Sequence, residues 1–121
     1  MQTGANAYAA VAKQIANPRE LEANLLLKAA SRLQAISDGW DGRQGELGDA
    51  LLYNRKLWSV FMTSVTESDH ELPAPVRQNV ANIGLFVMNQ TVSVMTAPQR
   101  EKLGSLITIN REIAAGLLAR A

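Results

Sequence analysis

Apolar positions along this chain recur at spacings of three and four, and no stretch alternates with the period of two that marks a half-buried strand. From Pro18 onward, Leu21, Leu25, Ala29, Leu33 and Ile36 form one stripe of a helix running to about Asp38. Asn17-Pro18 reads as its start, because asparagine caps a helix well and proline is favoured at the first helical position. Glu20 and Glu22 follow in the first turn, where the helix dipole favours acids. Ahead of this, the alanine-rich residues 5–16 read as a short helix. Gly39, Gly42, Gly45 and Gly48 crowd the next segment and predict a loop. A further helix is expected from Glu46 or Leu47 to Thr66, with Leu47, Leu51, Asn54, Trp58, Phe61 and Val65 on its inner stripe. After SDHELPAP, Pro73 or Pro75 opens a helix reaching about Met95. Ala97-Pro98 separates it from a last helix through Leu103, Leu106, Asn110, Ile113 and Leu117. Four to five helices joined by short links predict an all-α fold, an antiparallel bundle over residues 1–121 as a single domain.

Two of these stripes are interrupted by an amide. Asn54 lies between Leu51 and Trp58, and Asn110 between Leu106 and Ile113; each is followed by an arginine, Arg55 or Arg111. A buried amide without a partner costs on the order of 1–3 kcal/mol, so both asparagines should be hydrogen-bonded. Either each bonds a neighbouring helix end or the other asparagine and fixes the register, or both line a groove and bond a partner's backbone. The two arginines fall at the stripe edges, where a glutamate of the next helix or a partner's carboxylate would pair with them. Trp58 is expected to anchor the core.

The fourth helix carries two apolar stripes. Val76, Val80, Ile83, Val87 and Val94 make one, and Ala81, Leu85, Met88, Val92 and Met95 make another. Such a helix is either central to the bundle or packs the core with one side and a partner with the other. Phe86 lies away from both stripes, among Asn82, Asn89 and Ser93. Methionine-bearing surfaces accommodate varied apolar partners, which makes Leu85, Phe86, Met88, Val92 and Met95 the candidate partner-binding face. Asn54, Arg55, Asn110 and Arg111 are secondary candidates.

Composition narrows the function classes. Hydrophobic residues make up 47% of the 121 and charged residues 19%, with a formal net charge of +1. That balance suits a globular chain, and it argues against nucleic acid as a direct partner, since phosphate contacts run on a lysine and arginine excess. The absence of cysteine removes disulfides, thiolate nucleophiles and Cys-based metal sites. No apolar run approaches the ~20 residues of a membrane span. The N-terminus lacks a basic start followed by a long apolar stretch, so a cytoplasmic protein is expected. His70 sits beside Ser68, Asp69 and Glu71, but triad members converge from separate elements. Asp38, Asp41 and Glu46 lack the spacing of a calcium loop. No catalytic residues, cofactor or metal site are expected, and the chain reads as a binding protein rather than an enzyme.

Asn17-Pro18-Arg19-Glu20-Leu21-Glu22, Leu51-x-x-Asn54-Arg55-x-Leu57-Trp58-x-x-Phe61, Leu72-Pro73 and Leu106-Ile107-x-Ile109-Asn110-Arg111-x-Ile113-x-x-Gly116-Leu117 occur in this order. Their order and spacing resemble the FlaF family of flagellar biosynthesis regulators, from Tyr8 to Leu117. The Asn-Arg-x-Leu-Trp block is the most specific part. Tyr53 stands where tryptophan is common in the family, which keeps an aromatic. The resemblance implies a role in flagellar filament assembly, in normal flagellin production or export, beside a second regulator, FlbT, that controls flagellin messenger RNA. On that basis the expected partner is flagellin, bound through its amphipathic terminal helices before secretion. The alternative is a regulator of flagellin translation that acts through FlbT or the flagellin transcript without chaperoning flagellin.

Overall fold

The computed structural model describes residues 18–67 and 72–119. The expected helix over residues 5–16, the Asn17 cap and the Ser68–His70 cluster lie outside the described residues. Within them the chain is helical throughout, with no strand. Helix α1 spans Pro18–Asp38, α2 is a single turn over Trp40–Arg43, and a 3-10 turn, Gln44–Glu46, leads into α3, Leu47–Thr66. Helix α4 covers Ala74–Thr96, a second 3-10 turn covers Arg100–Lys102, and α5 covers Leu103–Ala119.

Four long helices form an antiparallel bundle. Leu25 and Leu26, early in α1, meet Phe61 and Ser64, late in α3, whereas Arg32, late in α1, lies over the Tyr53 ring at 5.0 Å. Helix α1 packs most extensively on α5, and α4 packs most extensively on α3. The core joins Leu26, Leu33 and Ile36 of α1, Leu51, Trp58, Phe61 and Val65 of α3, Val80, Val87 and Val94 of α4, and Leu103, Leu106 and Leu117 of α5. The inner stripe read for α3 is buried throughout, and those of α1 and α5 are buried in part: Leu21, Leu25 and Ile113 are only half-buried, while Ala23, Leu26 and Ala30 join the α1 core.

The glycine-rich segment departs from the expected loop. None of its glycines adopts a positive φ, so the chain continues through helical turns. The Gly39 carbonyl accepts from the Gly42 and Arg43 amides, and Arg43 and Glu46 form a two-pronged ion pair at 2.8 and 2.9 Å. That hydrogen bond holds the Glu46 carboxyl below its ordinary range. The pair is present at neutral pH and is lost as acid protonates Glu46 through its lowered pKa. Apolar anchors explain the compaction: Trp40 packs against the core and Leu47 is buried at the start of α3.

Cations close the links at either end of α4. Arg77 donates to the carbonyls of Leu72 at 3.1 Å, Glu67 at 2.8 Å and Val65 at 3.4 Å, so it satisfies carbonyls at the end of α3 that no helical amide can reach. Lys102 donates through Nζ to the carbonyls of Ser93 at 3.2 Å and Ala97 at 2.9 Å, at the end of α4. Arg77→Ala is expected to destabilise the fold by about 1–2 kcal/mol and to speed amide exchange selectively at the end of α3, as hydrogen-exchange mass spectrometry would read.

Helices α3 and α4 approach closely at Gly84, which is buried. A β-carbon there would stand 2.6 Å from Met62 Cγ and closer still to its sulfur. Gly84→Val should therefore push α4 away from α3 and lower stability by about 1–3 kcal/mol, a shift that urea denaturation would register.

Candidate functional site

The bundle holds a buried polar network in its interior and a stripe of exposed apolar side chains on its surface. The first is complete in outline. Asn54, Trp58 and Asn110 are all fully buried. Trp58 Nε1 donates to Asn110 Oδ1 at 2.8 Å. Asn110 Nδ2 donates to Asn54 Oδ1 at 2.7 Å and to the Leu26 carbonyl at 3.3 Å. The indole N–H can only donate, which fixes the orientation of the Asn110 amide and, through it, that of Asn54. Three helices, α1, α3 and α5, are thereby tied at one level of the core. The Asn54 Nδ2 is buried and has no hydrogen-bond partner.

The two asparagines therefore stand in the interior, not along the wall of an accessible groove, and their place among the secondary partner-binding candidates is corrected. The reason is the tryptophan between them in space, whose N–H needs an acceptor at that depth. Arg55 and Arg111 point the other way. Both are exposed, and neither forms an ion pair among the described residues, so the expected bond to a neighbouring helix's glutamate is absent.

The candidate face lies on α4. This helix is not central to the bundle. Val80, Gly84, Val87, Thr91 and Val94 face inward, and the buried Thr91 hydroxyl donates to its own helix at the Val87 carbonyl, 2.7 Å away. On one shoulder of the helix, Leu85 is 59% exposed, Val92 57% and Met95 47%. Met88 lies on the same shoulder, half-buried, with part of its side chain against the core. Phe86, 46% exposed, is about 100° further round the helix. It sits on the opposite shoulder, the side on which Gln90 reaches the Lys102 carbonyl at 2.9 Å. The five candidates of α4 thus separate into a four-residue stripe and one aromatic that does not belong to it.

Helix α3 extends the stripe. Met62 faces Gly84, and Ser59, Arg55 and Leu52 follow Met62 along the same side of α3 at spacings of three and four. Because the two helices are antiparallel, Arg55 lies at the level of Thr91 and Val92, and Leu52 at the level of Val94 and Met95. Leu52 is 54% exposed. Sequence reasoning missed it because it falls outside the inner stripe of α3; its signal was an apolar residue standing where a solvent-facing position is due. The result is a two-helix face of mostly apolar exposed side chains, interrupted on α3 by Ser59 and Arg55 and bordered by Lys56.

Charge sharpens the picture. The single ionisable side chain of α4 is Arg77, which is engaged with the carbonyls ending α3. From Gln78 to Thr96 every residue is uncharged, although about half of that length faces outward. Solvated helix faces ordinarily carry lysine and glutamate, whereas the centres of protein interfaces are depleted of charge and enriched in aromatics and methionine. No helix of the described residues is long and apolar enough to cross a membrane.

A family model with the description flagellar protein FlaF matches residues 4–117 of the 121. No curated protein matches the chain, and no solved structure does.

Proposed function

The chain belongs to the FlaF family, and so has a role in flagellar biosynthesis; from that premise we propose that it binds flagellin through the α3–α4 face and keeps it competent for secretion. The observation that carries this reading is the uncharged α4 surface, on which Leu85, Val92 and Met95 stand exposed in one stripe. A helical subunit destined for a filament must present apolar helix faces to its neighbours after export. Before export those faces need cover, and an exposed apolar face across two neighbouring helices suits an amphipathic helix laid along it. Binding in this way requires no catalytic group. It also places the protein where flagellin supply can be sensed, which links chaperoning to control of flagellin production.

Leu85→Asp tests the reading. Leu85 is exposed, so the variant should keep its helicity and thermal transition while its affinity for flagellin falls at least about tenfold. Co-purification and titration with recombinant flagellin would measure this. Unchanged binding would refute the use of this face. Salt-dependent RNA binding without flagellin affinity would favour action on the flagellin transcript instead.

A further inference from the structure

We infer that residues 8–15 of the chain itself fold back along the start of α1 and cover the apolar cavity between α1 and α3. This surface is separate from the α3–α4 face, and its occupant is independent of the flagellin reading.

Leu25 and Leu26 of α1 and Leu57, Val60 and Phe61 of α3 line a cavity of about 150 Å³. Apolar space of about that size can hold a benzene-sized group. Val60, at its wall, is the most exposed large apolar side chain among the described residues, and Leu25 and Leu57 are half-buried. The seam stays open because α1 packs most extensively on α5, and α3 on α4.

Position along the chain says what covers it. The α1 residues that line the cavity begin at Glu22, four residues after Pro18, and 17 residues precede Pro18. Proline disfavours α geometry at the residue before it, so Asn17 turns any helix ahead of it away from the line of α1. Folded back against α1 as a helix, with both helices advancing about 1.5 Å per residue, the segment brings Ile15 to the level of Leu21 and Val11 to that of Leu25. Val11 then stands over the cavity, with Tyr8 and Ile15 a turn to either side.

The residue pattern fits that placement. Tyr8, Val11, Ala12 and Ile15 fall within one helical arc about 100° wide, with Asn6 and Lys13 on the opposite side. Lys13 is the only charged side chain of residues 1–17. The apolar arc can therefore cover Leu25, Leu57 and Val60 while the one charge stays in water. The family match begins at residue 4, so the segment belongs to the matched domain. Tethering also gives it an effective concentration on the order of millimolar, against which any outside helix must compete.

Cysteine pairs test this cleanly, because the chain has no cysteine of its own. In the full chain, Val11→Cys with Val60→Cys is compared with Lys13→Cys with Val60→Cys, and with Val11→Cys with Val92→Cys. Val60 and Val92 are exposed, so all three proteins should fold. Oxidised at low micromolar concentration, the Val11–Val60 pair should close within one chain at least about tenfold faster than either control, since only a docked pair is held within reach of a disulfide. Equal rates in the three proteins would overturn the inference. So would disulfide-linked dimers as the main product, which would give the cavity to a second copy. In otherwise unaltered protein, Val11→Asp should lower the thermal midpoint by about 3–6 °C, whereas Lys13→Asp, on the solvent side, should move it by less than about 2 °C. A midpoint unchanged by Val11→Asp would also overturn it.

Discussion

Asn110→Leu is expected to lower stability by about 3 kcal/mol, while Asn54→Leu costs only about 1 kcal/mol, although both residues are asparagines of the same buried network. The difference follows from what each leaves behind. Asn110 sits in the middle: it accepts from Trp58, and it donates to Asn54 and to the Leu26 carbonyl. Its removal orphans the indole N–H and the Asn54 Oδ1, leaving the whole Asn54 amide unpaired. Each buried polar group left unpaired costs about 1–3 kcal/mol, and the added leucine returns part of that as apolar burial. Asn54 is terminal in the network and already carries one unpaired N–H. Replacing it removes that unpaired donor along with one good bond, and Asn110 keeps the Leu26 carbonyl and the tryptophan. The double variant should be less destabilised than the sum of the singles, because no Asn54 amide is then left to be orphaned by the loss of Asn110. Chemical denaturation of the three variants would give the cycle. Equal costs at the two positions would show that the network does not run through Asn110.

That asymmetry was not legible in the sequence, although the network was. Two amides centred in apolar stripes had to be satisfied, and bonding to each other or to a helix was one of two readings left open. Choosing between them required knowing that Trp58 and Asn110, far apart in the chain, reach the same level of the core. Helix limits were legible for the opposite reason, since local chemistry sets them. Pro18, Pro73 and the Ala97-Pro98 break lie where α1 begins, α4 begins and α4 ends. The glycine-rich link misled because glycine permits an open loop without requiring one. Trp40 and Leu47, apolar residues at either end of it, drew the segment into helical turns against the core. On α4 both stripes were visible, but periodicity cannot say which one the bundle covers. Packing decides that: Gly84 brings α4 onto α3 along the valine stripe and leaves Leu85, Val92 and Met95 outside. Phe86 shared their composition without sharing their direction, and only the position of α5 separates it from them.

Trp58→Ala should be the most damaging single truncation, at roughly 3–5 kcal/mol, a large share of the 5–15 kcal/mol that holds an ordinary domain together. The side chain is fully buried at the meeting point of α1, α3 and α5. Its ring stands edge-on to Phe61 at 5.4 Å and 80°, an arrangement favourable beyond the area it covers. Truncation removes that contact, opens a cavity and takes the indole N–H away from Asn110 Oδ1. Trp58→Phe separates these contributions. Phenylalanine refills most of the volume and keeps an aromatic edge, so its cost should fall to about 2 kcal/mol, dominated by the unpaired Asn110 oxygen. Adding Asn110→Leu to Trp58→Phe should then cost much less than Asn110→Leu does alone, because the indole N–H that would be orphaned is absent. Calorimetric transitions of the singles and the double would decide it. If the two costs simply add, the Trp58–Asn110 bond carries no coupling energy, and the bundle's register must be set by apolar packing alone. The surface of α4 should be indifferent to all of these changes, so any variant that remains folded should bind its partner as the unaltered chain does. Loss of binding in a folded Trp58→Phe protein would mean that the core and the α3–α4 face are coupled, and that the face depends on α3 being held at its Trp58 level.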